Sequence, residues 1–403
     1  MDGMGWRARG VGGLVGALWL LAACAPGAAP AKPAASAPSA PTAGVPSAAA
    51  PAAASQPTTA GAPVAAAPAP AAPASASAPT QAAPPPLSPP VMVKVADGGT
   101  VAHRALYIGL ERGYFADEGL EIERIPTNTQ SDVIAALVTG ELHFASGGPD
   151  PIIFNAVQRG VGVRIVLYNI QIGPGDRSSG FVVRQDLLDS GRYRELKDFK
   201  GLTISLPSDG GFQHLFVQRM VGPVGLSLAD VETAVLPFAD APPALANKRV
   251  DAAFLAEPFI TVAQSQGSAA LVAPMGDVYP GVPGNVLTLS PVFAERQPEA
   301  ARRFITAYLR GQRDYYRAVQ QNAGGRDEIV QILIKYTPIK DPKLYEGLLT
   351  SPVDPNAVMD PRILNDIEDW YVQFGTVPQK VDVSQVLDRS YADYALARLG
   401  REP

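Results

Sequence analysis

The chain has 403 residues, 33 Lys and Arg against 38 Asp and Glu, and a formal charge of −5. That mildly acidic balance argues against nucleic-acid binding, which needs a concentrated basic surface. One cysteine, Cys24, leaves nothing for a disulfide, a cysteine-based zinc site or a second thiol nucleophile.

Residues 1–23 read as an export signal. Arg7 and Arg9 make a short positive region, Val11 to Leu20 an apolar one, and Leu21-Ala22-Ala23-Cys24 closes it. The apolar run is short for a membrane span and small residues follow it, which favours a cleaved signal. Leu-Ala-Ala-Cys resembles a lipobox, implying that Cys24 is lipidated and becomes the new N-terminus; the bland alternative is an incidental cysteine in an ordinary signal. Removing residues 1–23 takes away one acid (Asp2) and two bases, so the charge moves from −5 to −6.

Residues 24–90 are almost wholly Ala, Pro, Ser, Gly and Thr, with one charge, Lys32, and no aromatic ring. Such a stretch buries too little apolar area to offset its chain entropy, and its prolines block helix and sheet alike. The expectation is a disordered, stiffened tether reaching at most roughly 200 Å at about 3.1 Å per residue. Normal globular composition starts at Val91 and leaves about 310 residues, comfortable for two lobes.

From there short apolar strands alternate with helices. Val91 to Ala96 is a strand, and Gly98-Gly99-Thr100 turns it into a helix running to about Asp117. A helix over Ser131–Thr139 stops at Gly140, a strand covers Leu142–Ser146, and a helix with proline in its first turn covers Pro149–Arg159. Further strands are expected at Val163–Tyr168, Phe181–Arg184, Leu202–Leu206, Glu232–Leu236, Asp251–Leu255, Ala270–Ala273 and Val286–Ser290. The rest is nearly all helix from about Pro298 to Arg398, with proline breaks near 338, 352 and 378. The pattern predicts an α/β protein with two mainly parallel sheets flanked by helices, hinge-linked, and a helical C-terminal region. Lobe 1 would comprise 91–180 with 285–403, and lobe 2 would comprise 181–284. Ligands in such folds sit beyond the carboxyl ends of strands.

Four segments carry a resemblance. They are Leu106 to Ile122 with its Gly113-Tyr114-Phe115 and Glu118-Gly119-Leu120, and Leu137 to Ala145 with His143 where aspartate is usual. The others are Leu196 to Ile204, and Asn247 to Phe254 followed by Glu257-Pro258. In this order and spacing they resemble the substrate-binding proteins of ABC importers in the sulfonate, taurine, nitrate and thiamin-pyrimidine group, the NMT1/THI5-like superfamily. The resemblance covers about residues 91–320. It implies a type II periplasmic-binding-protein fold, closure of two lobes on a small solute, delivery to a permease with its ATPase, an extracytoplasmic location and a monomeric chain.

Candidate ligand residues follow from the strand-to-helix junctions. Gly99 and Thr100 lie at the first, Ser146, Gly147 and Asp150 at the second, and Ser208, Asp209, Gly210 and Phe212 at the entry to the second lobe. Glycines allow close backbone approach and helix starts offer free N–H groups; each group also reads as an ordinary turn or cap. Glu257 and Asn169 follow strands, and Tyr107 and Phe238 are aromatic candidates that read equally well as core, as do Phe154 and Tyr168. Asp209 near a helix start disfavours a strong anion, so a nitrogen heterocycle of thiamin-pyrimidine or riboflavin-like type ranks ahead of alkanesulfonates, taurine or aromatic acids. Nitrate and bicarbonate come last.

Three scattered histidines make no metal spacing, and no cofactor is expected. The pyrimidine-synthase branch of the superfamily carries a cysteine-rich segment that this chain lacks, and no nucleophile-elbow, phosphate-loop or zincin motif occurs, so the expectation is a binder and not an enzyme. A surface scaffold lipoprotein would also suit the tether.

Overall fold

A computed structural model describes residues 84–127, 130–349 and 351–403, all within one compact unit. The export signal, Cys24 and nearly all of the tether fall outside the described residues. Ten strands appear among them. They are β1 (Val91–Asp97), β2 (Leu120–Pro126), β3 (Phe144–Gly147), β4 (Arg164–Gln171) and β5 (Ser179–Arg184), then β6 (Thr203–Leu206), β7 (Glu232–Val235), β8 (Ala252–Ala256), β9 (Ala269–Pro274) and β10 (Pro283–Leu289).

They form two five-stranded sheets in the orders β2-β1-β3-β10-β4 and β7-β6-β8-β5-β9. Each sheet is mixed, with four strands pointing one way and one reversed, so the expected mainly parallel arrangement holds with a single antiparallel strand in each. β1 runs parallel to β2 and β3, and β6 runs parallel to β7 and β8. β10 is antiparallel to β3 and β4, and β5 is antiparallel to β8 and β9. The reason is topological: β10 and β5 are the strands by which the chain enters one sheet after leaving the other, so they run against their neighbours.

The two crossings, 172–178 and 275–282, lie side by side. Gly276 N–H donates to the Asp176 carbonyl at 2.9 Å, Ile172 N–H to the Val282 carbonyl at 3.0 Å, and Gly281 N–H to the Ile172 carbonyl at 2.7 Å. A Cβ at position 276 would lie 2.0 Å from the Asp176 nitrogen, so only glycine permits the contact. The helix Pro298–Tyr315 buries its apolar face against Arg104–Glu111, where a Cβ on Gly311 would meet the Ala105 carbonyl at 2.2 Å. Further helices at Arg326–Tyr336, Pro361–Phe374 and Ser390–Leu399 complete the C-terminal region, with breaks at the prolines the sequence marks. The expected first helix is split at Gly113, whose φ of 71° ends one helix and starts Tyr114–Asp117.

Candidate functional site

The carboxyl ends of β1, β3, β6, β7 and β8 converge on one cavity of about 260 Å³ between the two sheets. From the first sheet it is lined by Thr100, Ser146, Gly147 and Asp150; from the second by Ser208, Phe212, Phe238 and Glu257. These eight predicted residues are therefore brought together.

Asp150 is 5% exposed and ends the turn after β3. Its Oδ2 accepts the Phe212 N–H at 3.3 Å, so a carboxylate of the first sheet caps the helix Phe212–Val221 of the second. That helix has glycine at its own cap position. A Cβ on Gly211 would meet Ser208 Oγ at 2.0 Å and Asp150 Oδ2 at 2.9 Å, so glycine there is what admits the carboxylate. Burial pushes the Asp150 carboxyl up to about 6, against the Phe212 N–H and other hydrogen bonds that favour the charged form.

Glu257 follows β8 and is also 5% exposed. Its two oxygens accept the Thr261 N–H and the Thr261 hydroxyl, each at 3.1 Å, and its carbonyl accepts the Val101 N–H of the first sheet at 3.3 Å. Burial pushes this carboxyl up to about 7, opposed by the two Thr261 bonds. On the first sheet Thr100 Oγ1 lies 3.1 Å from Nδ1 of the buried His103, whose pKa burial lowers despite the nearby Asp97 carboxylate. Ser146 Oγ donates to Asn285 Oδ1 at 3.1 Å and accepts from Asn169 Nδ2 at 3.0 Å.

The second sheet supplies an aromatic wall. Phe212 and Phe216 meet edge to face at 4.4 Å, Phe216 packs on Phe254 at 5.5 Å, and Phe238 lies 6.3 Å from Phe254. The cavity thus pairs aromatic side chains with two buried carboxylates, a set suited to an aromatic ring bearing hydrogen-bond donors.

Five predicted residues lie elsewhere. Gly99 holds the turn at φ 65° with its N–H on Asp97 Oδ1 at 3.0 Å. Tyr107 is core: its hydroxyl donates to Asp97 Oδ1 at 2.5 Å and its ring stacks on Tyr336 at 4.6 Å. Asn169 stands behind Ser146, with Nδ2 also on the Tyr308 hydroxyl at 3.1 Å. Gly210, at φ 60°, turns the chain. The Asp209 side chain is 87% exposed and points toward His214, 3.9 Å away, so the charge argument built on Asp209 does not apply to the cavity. Asp150 and Glu257 supply that charge instead.

Sequence reasoning missed Arg104, Phe216, Asn285 and Ser178, all lining the cavity. Arg104 follows Thr100 by four residues, one helical turn past the junction, and that spacing was a usable signal. Among the described residues no cluster of three metal-ligating side chains occurs, and no helix is long and apolar enough to cross a membrane.

The family model described as NMT1/THI5 like matches residues 100–321, more than half of the chain. The chain belongs to the NMT1/THI5-like family. Within reach of that family, a curated binding protein of Brucella abortus is 26% identical over 303 residues, 72% of this chain and 87% of its own length. Among solved structures, the ligand-binding component of an ABC-type import system from Staphylococcus aureus, with zinc bound, aligns at TM-score 0.63 and 14% identity over 76% of this chain and 99% of that one. The alkanesulfonate-binding protein of Xanthomonas axonopodis pv. citri, bound to MOPS, aligns at 0.58 and 17% over 75% and 100%. The desulfurization enzyme DSZB aligns at 0.54 and 15% over 76% and 99%. The NMT1/THI5-like chain therefore has the two-lobed type II periplasmic-binding fold, a fold that also hosts an enzyme.

Proposed function

We propose that the protein is the solute-binding component of an ABC importer and that it captures a nitrogen heterocycle of the thiamin-pyrimidine or riboflavin-like class. In this reading residues 91–180 with 285–403 move as one lobe and 181–284 as the other, hinged at the paired crossings. The protein acts outside the cytoplasm, held to the membrane by a lipid on Cys24 through the tether 24–90, and hands its solute to a permease and its ATPase. The observation that carries the ligand class is that Asp150 and Glu257, one from each sheet, line the same cavity as Phe212, Phe216, Phe238 and Phe254. Two buried carboxylates favour a donor-rich or cationic solute and penalise nitrate or a simple sulfonate.

Binding without turnover is supported by the family's binding-protein relatives and by the chain between 84 and 403 lacking any cysteine. Thermal-shift screening of the purified protein tests the reading. A matched solute at a hundredfold excess over its Kd stabilises by about 2.7 kcal/mol. If only sulfonates or nitrate raise the melting temperature, the heterocycle assignment fails.

A further inference from the structure

We infer that segment 351–354 is a strap that latches the closed form. Fixed to the half built on the first sheet, it lies along the crossing 172–178 and ends in a hydroxyl pair, Ser351 with Ser178, that holds the two halves together. The inference rests on the two-lobe reading above, and its test separates the two.

One end of the strap is immobile. Gln312 Nε2 donates to the Asp354 carbonyl at 2.6 Å, Arg313 Nε to the Pro355 carbonyl at 2.9 Å, and the Val353 N–H to Gln320 Oε1 at 3.0 Å. The Asp354 carboxylate closes the turn that follows, accepting the Asn356 and Val358 N–H groups at 2.8 and 2.9 Å. The middle of the strap runs against the crossing. Gln171 N–H donates to the Pro352 carbonyl at 3.3 Å, and a Cβ on Gly173 would lie 3.1 Å from Pro352 Cγ, so glycine is what lets the two segments come this close.

The other end reaches toward the second sheet. Ser351 is 3% exposed; its carbonyl lies 3.5 Å from both Arg104 Nη2 and the Tyr315 hydroxyl, and its own hydroxyl donates to that of Ser178. Ser178 ends the crossing and is tied to the second sheet, because its carbonyl accepts the Glu257 N–H at 2.7 Å and β5 begins at the next residue. The hydroxyl bond therefore runs from a fixed part of one half to a residue bound to the other. Both serines line the cavity, but their hydroxyls are engaged with each other. The strap lies outside residues 100–321, the stretch that the family model matches. A neutral hydrogen bond of this kind shifts an equilibrium roughly 2- to 12-fold. Made only in the closed form, it favours closure by one factor whatever the solute.

Spin labels across the cleft test this. They sit at Asp209→Cys and Gln373→Cys, two exposed positions beside a close approach of the halves, where a Cβ on Gly210 would lie 3.7 Å from Thr376 Cγ2. The full chain carries Cys24→Ser, and the probes are 4-amino-5-hydroxymethyl-2-methylpyrimidine and, separately, ethanesulfonate. At a fixed concentration of a probe that closes the parent, Ser178→Ala and Ser351→Ala should each lower the closed-to-open ratio roughly 2- to 12-fold. The factor should be the same for either probe that closes it. The double variant should be no worse than a single one, because a shared bond is lost once. Closure by a probe that the serine variants leave unchanged overturns the latch and keeps the two-lobe reading. So do additive losses, or losses that differ between probes, which would make the hydroxyls separate solute contacts. A lower urea midpoint of the ligand-free chain with an unchanged closed fraction overturns it too, since the pair would then belong to a static core. One distance that neither probe moves overturns the two-lobe reading and the latch with it.

Discussion

Replacing Gly148 by alanine separates closure of the cleft from stability of its halves. A Cβ at 148 would lie 2.6 Å from Cδ1 of Phe212, 3.2 Å from its Cγ and 3.3 Å from its Cβ. The near part of the ring cannot swing aside easily. Phe212 is wedged against Phe216 at 4.4 Å, and its N–H is held by Asp150. One inserted methyl in such packing costs about 1–3 kcal/mol. Gly148 follows a strand of the first sheet and Phe212 starts a helix beside the second, so on the proposed two-lobe reading the strain exists only while the halves are together. The penalty therefore falls on the ligand-closed form, and at 1.4 kcal/mol per tenfold it weakens solute binding roughly 5- to 150-fold. Calorimetry with the solute that best stabilises the wild type measures the first quantity, and urea denaturation of the ligand-free protein measures the second. Ligand-free stability should match the wild type. Unchanged affinity would refute the reasoning. So would a ligand-free protein weakened by the full 1–3 kcal/mol, which would make this contact part of a permanent core.

Three further substitutions probe the site and its frame. Glu257 has its carboxyl raised from 4.5 to about 7 by burial, so the folded protein holds a proton that the unfolded chain has released. The resulting stability is complete below the unfolded value and is lost as pH rises through about 7. Glu257→Gln does not titrate and should gain up to about 3 kcal/mol on the wild type between pH 4.5 and 8 in denaturation curves; a flat difference would contradict the burial argument. A cationic solute should correspondingly bind more tightly to the wild type as pH rises through about 7. Phe238 is a half-buried wall residue, so Phe238→Ala should weaken an aromatic solute roughly 2- to 12-fold with little change in melting temperature. An unaltered Kd would remove it from the contact surface. Arg398 donates to both Glu118 oxygens at 2.9 Å, with both side chains largely buried, and Arg398→Ala should cost about 3–5 kcal/mol in urea because Glu118 is left alone. A loss below about 1 kcal/mol would mean that water reaches the carboxylate.

Strand positions were legible because short apolar runs here are closed off by glycine, proline or charge; Val91–Asp97 and Ala269–Pro274 fall within a residue of the expected limits. The reversal of one strand in each sheet was not. An apolar strand buried on both faces, as β5 and β10 are, reads the same whichever way its neighbours run. The junctions that build the cavity were legible as Gly- and Pro-rich turns before helices. Which side chain of each turn faces inward was not. Asp209 and Asp150 both sit near helix starts, yet the φ of 60° at Gly210 sends the loop outward while Gly211 opens room for Asp150. Aromatic candidates were equally ambiguous: Phe212 and Phe238 reach the cavity, whereas Tyr107 is spent on Asp97 and Tyr336. Arg104 carried a spacing signal from Thr100, but a single cation in an amphipathic helix ordinarily marks its wetted face.

On the proposed two-lobe reading, the two carboxylates would also hold an empty cleft open. Asp150 is raised from 3.8 to about 6 and Glu257 from 4.5 to about 7, both chiefly by loss of water. At 1.36 kcal/mol per unit, keeping both charged in the closed form costs about 3 kcal/mol each above neutral pH. Together that is comparable to the ~5.5 kcal/mol that moves a two-state equilibrium from 1:99 to 99:1. A solute whose donors reach both groups removes the penalty at the moment the halves meet, while an anion of similar size leaves it in place. On the proposed two-lobe reading, selectivity and closure then share an electrostatic origin, because Asp150 comes from the first sheet and Glu257 from the second.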